Sequence, residues 1–507
     1  MNSTDSDLAA MDAAALIDAY ERGRLSPVEA VENALARIDR HNPAINAFCH
    51  VDHQGAMAAA RDAEARWRRG EPLSPVDGLP VTMKDLTRVR GMPAREGTLI
   101  SDPAPCAEDS PPARRMREGG AVILGKTTTP EFGWKGVTDS PLTGITCNPW
   151  NTQLTPGGSS GGAAAACALN LGVLHQGGDS GGSIRIPAAF TGTFGFKSTF
   201  GLVPQWPPCS LPSMSHIGPI TRTVDDAIRM LNVIGRYDSR DSYAVAAAPA
   251  DWRETTRQTL SGLRIGLITK ARRVGVDPQI TAAIERAAHT LSELGAEVVP
   301  SDLDLHEAGE AFKVLWFSTT WRLCYQLTEA QRHLISEGLL KNAWRGEGFD
   351  ANDVHAAEEA RWVLTSRFEA RFRDEFDLFL MPSVAVLPFT AGLEVPDGSS
   401  MQDWMDWTPF SYPFNLTRQP AASIPCGFSR EGLPIGCQLV GARFRDRTVL
   451  RAARIWMRCR RISPTCRASP RRASPRLAAD GEATPCRCPS RICRWPGASA
   501  CSASVRW

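Results

Sequence analysis

The amino-acid sequence predicts an α/β fold, with one sheet running through a single large domain. Three observations carry that expectation. The chain has 507 residues, 43% of them hydrophobic, which is enough to bury a large core. Short apolar runs alternate with amphipathic helical stretches along the whole body. No internal repeat divides the alternation into modules.

Two helical stretches open the chain, at about residues 9–22 and 27–40. Ser26, Pro27 and Glu29 supply the cap, the first-turn proline and the capping partner of the second. A third helix, 55–69, should stop at Gly70. The run GLPVTMKD then predicts a strand over 79–83 that delivers Lys84 and Asp85. AVILGKTTTPEFGW, from Ala121, reads as strand and turn, and SPLTGITCNPWN as an irregular loop. Further on, TRTVDDAIRMLNVIG predicts a capped helix. LRIGLITK, ITAAIERAAHTLSELG and AEVVPSD predict a βαβ unit, and EFDLFLMPSV, PAASIPCGF and PIGCQLVG predict late strands.

The stretch between these halves, Gly157 to Pro187, is where a site is built. Two glycine-flanked serine loops, one holding Ser159 and Ser160 and the other Ser183, bracket the helical spacer AAAACAL. Glycine is needed where φ is positive or where backbone must approach a substrate closely, and consecutive N–H groups in such a loop form a nest for an anion. A flexible linker would not be filled by alanine, nor followed by the strand-like apolar run SIRIPAAFTGTFGF.

Charge and cysteine usage bound the remainder. Residues 451–507 hold 13 Arg against one Asp and one Glu, a local charge of +11 that leaves the preceding 450 residues at −9 within the net +2. A nucleic-acid-binding arm is one reading of such a tail. The absence of lysine and of apolar periodicity favours another, a segment 457–507 without a fold of its own that resembles coding sequence read out of frame, and no specific nucleic acid is expected as partner. Cysteines such as Cys49, Cys167 and Cys426 stand singly in apolar settings, as buried reduced thiols do. The first residues are acidic where a signal peptide is basic, and no run of about 18 apolar residues occurs. A cytoplasmic protein with no membrane partner is therefore expected.

Three serine chemistries fit the central stretch. Gly157–Gly161 and Gly178–Gly182 both match the nucleophile-elbow pattern GxSxG, and GDSGG is also like the nucleophile loop of trypsin-like proteases. Both of these need a histidine base with an acidic partner. His50 and His53 lie near Asp52 in the helical N-terminal region, and His216 lies in a polar loop; each reads as structural. The third chemistry takes a lysine as base, which requires burial or polar neighbours to favour its neutral form. Lys84, at the end of an apolar strand, is the candidate.

GLPVTMKD, GGSSGG and GGSIRIPA, together with VILGKTTTPEF, CNPWN, GFKSTFG, IGPITRTVDD and IPCGFSREGLPIGCQLVG, resemble the amidase signature family of Ser-Ser-Lys hydrolases over about residues 8–456. The resemblance implies one domain over 1–456, with a catalytic core at about 75–230 and a mixed sheet covered by helices on both faces. It implies Ser183 as nucleophile, Ser159 as bridging serine after a cis peptide bond from Gly158, and Lys84 as base. The backbone N–H groups of Ser180, Gly181, Gly182 and Ser183 become the oxyanion hole, and Asp179 with Arg185 the pair supporting the loop. Gly178 stands where many members carry threonine. A last helix is expected from Thr448.

No metal or cofactor is called for, and the sequence has neither a P-loop nor a zinc spacing. The implied activity is hydrolysis of small aryl or alkyl amides through an acyl-enzyme, with carbamates, urethanes and esters as further substrates, by a monomer or homodimer. Two alternatives stand beside it: the glutamine-hydrolysing subunit of a tRNA-dependent amidotransferase, and an inactive binding relative. The intact Lys84, Ser159 and Ser183 speak against the second. Against the first, Thr408 occupies the place where that subunit has an aspartate for the substrate ammonium. Trp404, Trp407, Phe410, Tyr412 and Phe414 around it read either as an aryl-binding wall or as core.

Overall fold

The computed structural model describes residues 8–462 apart from 210, 247–250, 254–258 and 273. Its strands are β1 (Phe48–Val51), β2 (Pro80–Lys84), β3 (Val122–Thr127), β4 (Asp139–Ser140), β5 (Gly144–Ile145), β6 (Leu174–Asp179), β7 (Phe194–Lys197), β8 (His216–Thr221), β9 (Arg264–Leu267), β10 (Glu297–Pro300), β11 (Leu378–Pro382), β12 (Ala421–Phe428) and β13 (Pro434–Gly441). The helices are α1 (Ala13–Glu21), α2 (Pro27–Ile45), α3 (His53–Arg69), α4 (Pro111–Glu118), α5 (Gly161–Ala168), α6 (Arg185–Thr191), α7 (Val224–Ile234), α8 (Pro278–Glu293), α9 (Ala308–Tyr325), α10 (Glu329–Arg332), α11 (Glu337–Trp344), α12 (Ala351–Asp374), α13 (Pro413–Leu416) and α14 (Asp446–Ile462).

Eleven strands form one sheet in the order β1-β3-β2-β6-β8-β7-β12-β13-β11-β9-β10, while β4 and β5 make a separate small ribbon. The sheet is mixed. β3, β2 and β6 run parallel, as do β11, β9 and β10, and the strands between them pair antiparallel. Alternate side chains of one strand enter different cores, as a pleated strand requires. Leu378 and Leu380 of β11 pack with α7, α8 and α14, whereas Phe379 and Met381 pack with α6, α9 and α12. Both faces are therefore covered by helices, as the family resemblance implied.

Local chemistry explains where the elements begin. Ser26 Oγ accepts the Glu29 N–H at 3.2 Å while Glu29 Oε2 accepts the Ser26 N–H at 2.8 Å, the reciprocal cap that starts α2. Gly70, at φ 70°, ends α3. The βαβ unit is present as β9, α8 and β10. The run after the second serine loop differs from expectation, because its first half is the helix α6 and only Phe194–Lys197 is strand. Pro187 falls in the first turn of α6, where its missing N–H has no intrahelical acceptor to lose, and the Ile186 N–H bonds back to Gly182 O at 2.7 Å.

The final helix begins at Asp446, two residues before the expected Thr448, and the Asp446 carboxylate accepts the Thr199 N–H and hydroxyl at 2.7 and 2.6 Å. It continues past residue 456 to Ile462; the rest of the Arg-rich tail lies outside the described residues. No helix among the described residues is long and apolar enough to cross a membrane. On composition alone, a chain ending at Ile462 is expected to melt within a few degrees of the full chain by differential scanning fluorimetry, since the excised residues are rich in Arg, Pro and Ser and bring little apolar surface to bury. A loss of many degrees would make the tail structural.

Candidate active site

Parallel neighbours β2 and β6 bring Lys84 and Asp179, each the last residue of its strand, to the same edge of the sheet. Crevices at the carboxyl ends of parallel strands are where α/β sheets hold ligands. Lys84 is 1% exposed, and its Nζ donates to Ser159 Oγ at 2.6 Å. Its backbone N–H donates to Gln176 Oε1 at 3.0 Å, and Thr87 Oγ1 donates to the same oxygen at 2.9 Å. Burial pulls the Lys84 pKa down to about 7, against the opposing charge of Asp179. An ammonium this far below its ordinary value is a base near neutrality.

The two serine loops meet directly. The Gly158–Ser159 peptide is cis. The Ser160 N–H donates to Ser183 O at 3.1 Å, and Ser160 Oγ both donates to Gly178 O at 3.0 Å and accepts the Gly178 N–H at 3.2 Å. Ser160 thereby joins the start of α5 to β6. Glycine is obligatory here for space, since a Cβ on Gly158 would lie 2.4 Å from Val137 O.

Asp179 and Arg185 form a fully buried bidentate pair, both contacts 2.9 Å. Burial alone would raise the Asp179 carboxyl, but the Arg185 guanidinium, with Lys197 and Asn415 adding to it, holds it well below the usual carboxylate range. The same carboxylate accepts the Gly182 N–H at 2.8 Å and the Ile184 N–H at 3.2 Å. Three residues not foreseen from the sequence complete this network. Arg185 also donates to Ser411 O at 2.9 Å, Gln438 Oε1 at 2.7 Å and Asn415 Oδ1 at 2.6 Å, and Asn415 Nδ2 returns to Asp179.

A cleft opens over Lys84, Ser159, Gly178 and Ser180, walled by Phe132, Trp134, Trp206, Leu211, Trp316 and Leu323. The aromatic residues singled out in the sequence lie elsewhere. Trp404, Trp407, Phe410 and Phe414 are at most 2% exposed and belong to the core, Trp407 stacking on Phe190 at 5.8 Å. Tyr412 faces a separate cavity of about 550 Å³ beyond the ends of β9 and β10. Thr408 is fully buried, its hydroxyl donating to Trp404 O at 3.1 Å. The reading of these five as core packing is the one the structure supports for four of them.

None of the three histidines weighed as bases makes a hydrogen bond to Ser159, Ser180 or Ser183 among the described residues. His216 is in strand β8 rather than in a loop, with Nδ1 against the carbonyls of Met214 and Asp179 at 2.8 and 3.1 Å. Burial holds it well below its ordinary value. His50 is in strand β1, and His53 pairs with Asp39 at the surface at 3.0 Å.

A family profile described as Amidase matches residues 29–450. An acylamidase of Rhodococcus erythropolis is 32% identical over 459 residues, covering 89% of this chain and 95% of the relative. A glutamyl-tRNA(Gln) amidotransferase subunit of Myxococcus xanthus is likewise 32% identical over 485 residues, covering 89% and 97%. Among solved structures, a bacterial aryl acylamidase of the amidase signature family superposes with a TM-score of 0.81 at 30% identity, covering 88% of this chain and 96% of the other. A 6-aminohexanoate cyclic dimer hydrolase with bound substrate gives 0.78 at 26%, covering 89% and 96%.

Proposed function

Since this chain belongs to the amidase signature family and is an amide-hydrolysing enzyme, we propose that it cleaves small aryl and alkyl amides through Ser183, Ser159 and Lys84. The observation that carries the reading is the 2.6 Å contact from Lys84 Nζ to Ser159 Oγ, made by a buried lysine whose pKa is about 7. In this mechanism the Ser183 oxygen attacks the amide carbonyl carbon as its proton passes to Ser159 Oγ and the Ser159 proton passes to neutral Lys84. The backbone N–H groups of the loop around Gly181 receive the oxyanion. Collapse of the tetrahedral intermediate breaks the C–N bond, and the proton returns along the same path to the leaving nitrogen. Water then attacks the acyl-enzyme by the reverse relay, releasing the acid.

The walls of the cleft set the substrate class. Phe132, Trp134, Trp206 and Trp316 are among the residues lining the cleft, and an aromatic lining favours an aryl group over a zwitterion. Thr408 is fully buried and does not line the cleft, and among the described residues lining it there is no carboxylate to receive a substrate ammonium. A second reading, glutamine hydrolysis as part of a tRNA-dependent amidotransferase, keeps its place because such proteins are as similar in sequence as the acylamidase. A panel of anilides, aliphatic amides, carbamates, esters and free glutamine separates the two. A neutral anilide is expected to give a kcat/KM at least tenfold above that of glutamine, a difference in pocket complementarity of the size one unmatched polar group makes. Glutamine as the preferred substrate, or copurification with a tRNA-binding partner, would move the chain to the second reading.

A further inference from the structure

The peptide between Gly181 and Gly182 is held at both ends. Its N–H is the Gly182 N–H, which donates to Asp179 Oδ1 at 2.8 Å. Its carbonyl, Gly181 O, accepts from Ser411 Oγ at 2.7 Å; the alternative acceptor of that hydroxyl, Thr408 O, is farther away at 3.2 Å. Ser411 is fully buried and lies 230 residues from Gly181 in the chain. The fit is close enough that a Cβ on Gly182 would lie 2.5 Å from Ser411 Oγ, and one on Gly181 would lie 2.6 Å from the Trp404 ring.

A peptide unit is a rigid plane, so holding its two ends fixes the orientation of that plane and limits the flanking planes to rotation about the Gly181 and Gly182 Cα atoms. The flanking amides, those of Gly181 and Ser183, meet no acceptor among the described residues, and the same is true of Ser180. Gly182 differs from the expectation drawn from the sequence, because its amide is engaged with Asp179.

We propose that Ser411 is a positioning residue for the oxyanion loop: by holding the Gly181 carbonyl, it turns the Gly181 and Ser183 N–H groups toward the developing oxyanion and leaves the Gly182 amide to Asp179. The inference rests on the assignment of Ser183 as nucleophile. Its effect falls on the transition states leading to and from the tetrahedral intermediate, since the oxyanion is absent from the bound substrate, and so on kcat rather than on KM.

The test is steady-state hydrolysis of 4-nitroacetanilide by the full chain, with inhibition by an arylboronic acid, which adds to a serine oxygen as a tetrahedral anion. Ser411→Ala is expected to lower kcat about tenfold or more, a fraction of what deleting an oxyanion donor costs, with KM within about twofold and the boronate inhibition constant rising in step with the loss of kcat/KM. Ser411→Cys, which keeps the volume and a weak donor, should fall between wild type and the alanine variant, and it decides the matter should the alanine variant not fold. A folded variant with wild-type kcat, or a loss residing wholly in KM, overturns the proposal. Ser183→Ala run alongside separates the layers: if it is active, the nucleophile assignment fails and the clamp with it, whereas an inactive Ser183→Ala beside an unimpaired Ser411→Ala overturns the clamp alone.

Discussion

Ser183→Ala is expected to remove turnover by about four to six orders of magnitude, the loss seen when a hydrolase is deprived of its attacking oxygen, and to abolish labelling by a fluorophosphonate. Ser180→Ala should stay within about tenfold of wild type, because the proposed contribution of Ser180 is a backbone N–H, which alanine retains. Circular dichroism of both variants should match wild type, since neither hydroxyl is a partner of the Asp179–Arg185 network. The opposite ranking would falsify the assignment and restore the reading of GDSGG in which Ser180 attacks.

The second large effect belongs to Lys84. Lys84→Met should lower kcat/KM by about three orders of magnitude or more, within and beyond the range of a general base, while keeping the fold, because methionine suits a position that is 1% exposed. The sign of the pH dependence follows from burial. The active form is the neutral amine, which gains population as pH rises through about 7. Activity should therefore climb with pH across that value and level off above it, and the residual activity of Lys84→Met should lack that inflection. A wild-type profile that falls over this interval, or an activity lost in His216→Ala but kept in Lys84→Met, would point to a histidine mechanism.

The readable and unreadable parts of this molecule divide along a physical line. Strand and helix runs with their own periodicity were legible, and β9, α8, β10, β11, β12 and β13 stand where LRIGLITK, ITAAIERAAHTLSELG, AEVVPSD and the late apolar runs put them. Lys84, Ser159 and Ser183 stood out because they sit in short local motifs, and the structure brings the first two together, Lys84 Nζ lying 2.6 Å from Ser159 Oγ. Misread was SIRIPAAFTG, where apolar content said strand but a glycine turn and a first-turn proline started α6.

The residues that tie the site together carried no local signal. Arg185 reaches Ser411, Asn415 and Gln438 across 226, 230 and 253 residues, and nothing in the neighbourhood of those three announces a partner so distant. The aromatic wall failed for the same reason. Trp404 and Trp407 look alike in sequence to rings that line a cleft, yet Phe190, Phe312 and Trp316 close over them, while Phe132, Trp206 and Trp316 reach the cleft from three separate segments.

The span of those Arg185 contacts also bears on how the protein is born. On the ribosome, Asp179 and Arg185 emerge long before Asn415 and Gln438 exist to meet them. Through that interval a charged pair and a glycine-rich loop wait without the groups that will bury and hold them, and the sheet cannot join β7 to β12. A ribosome stalled before residue 438 therefore carries Lys84, Ser159 and Ser183 in a chain whose Arg185 still lacks its Gln438 acceptor.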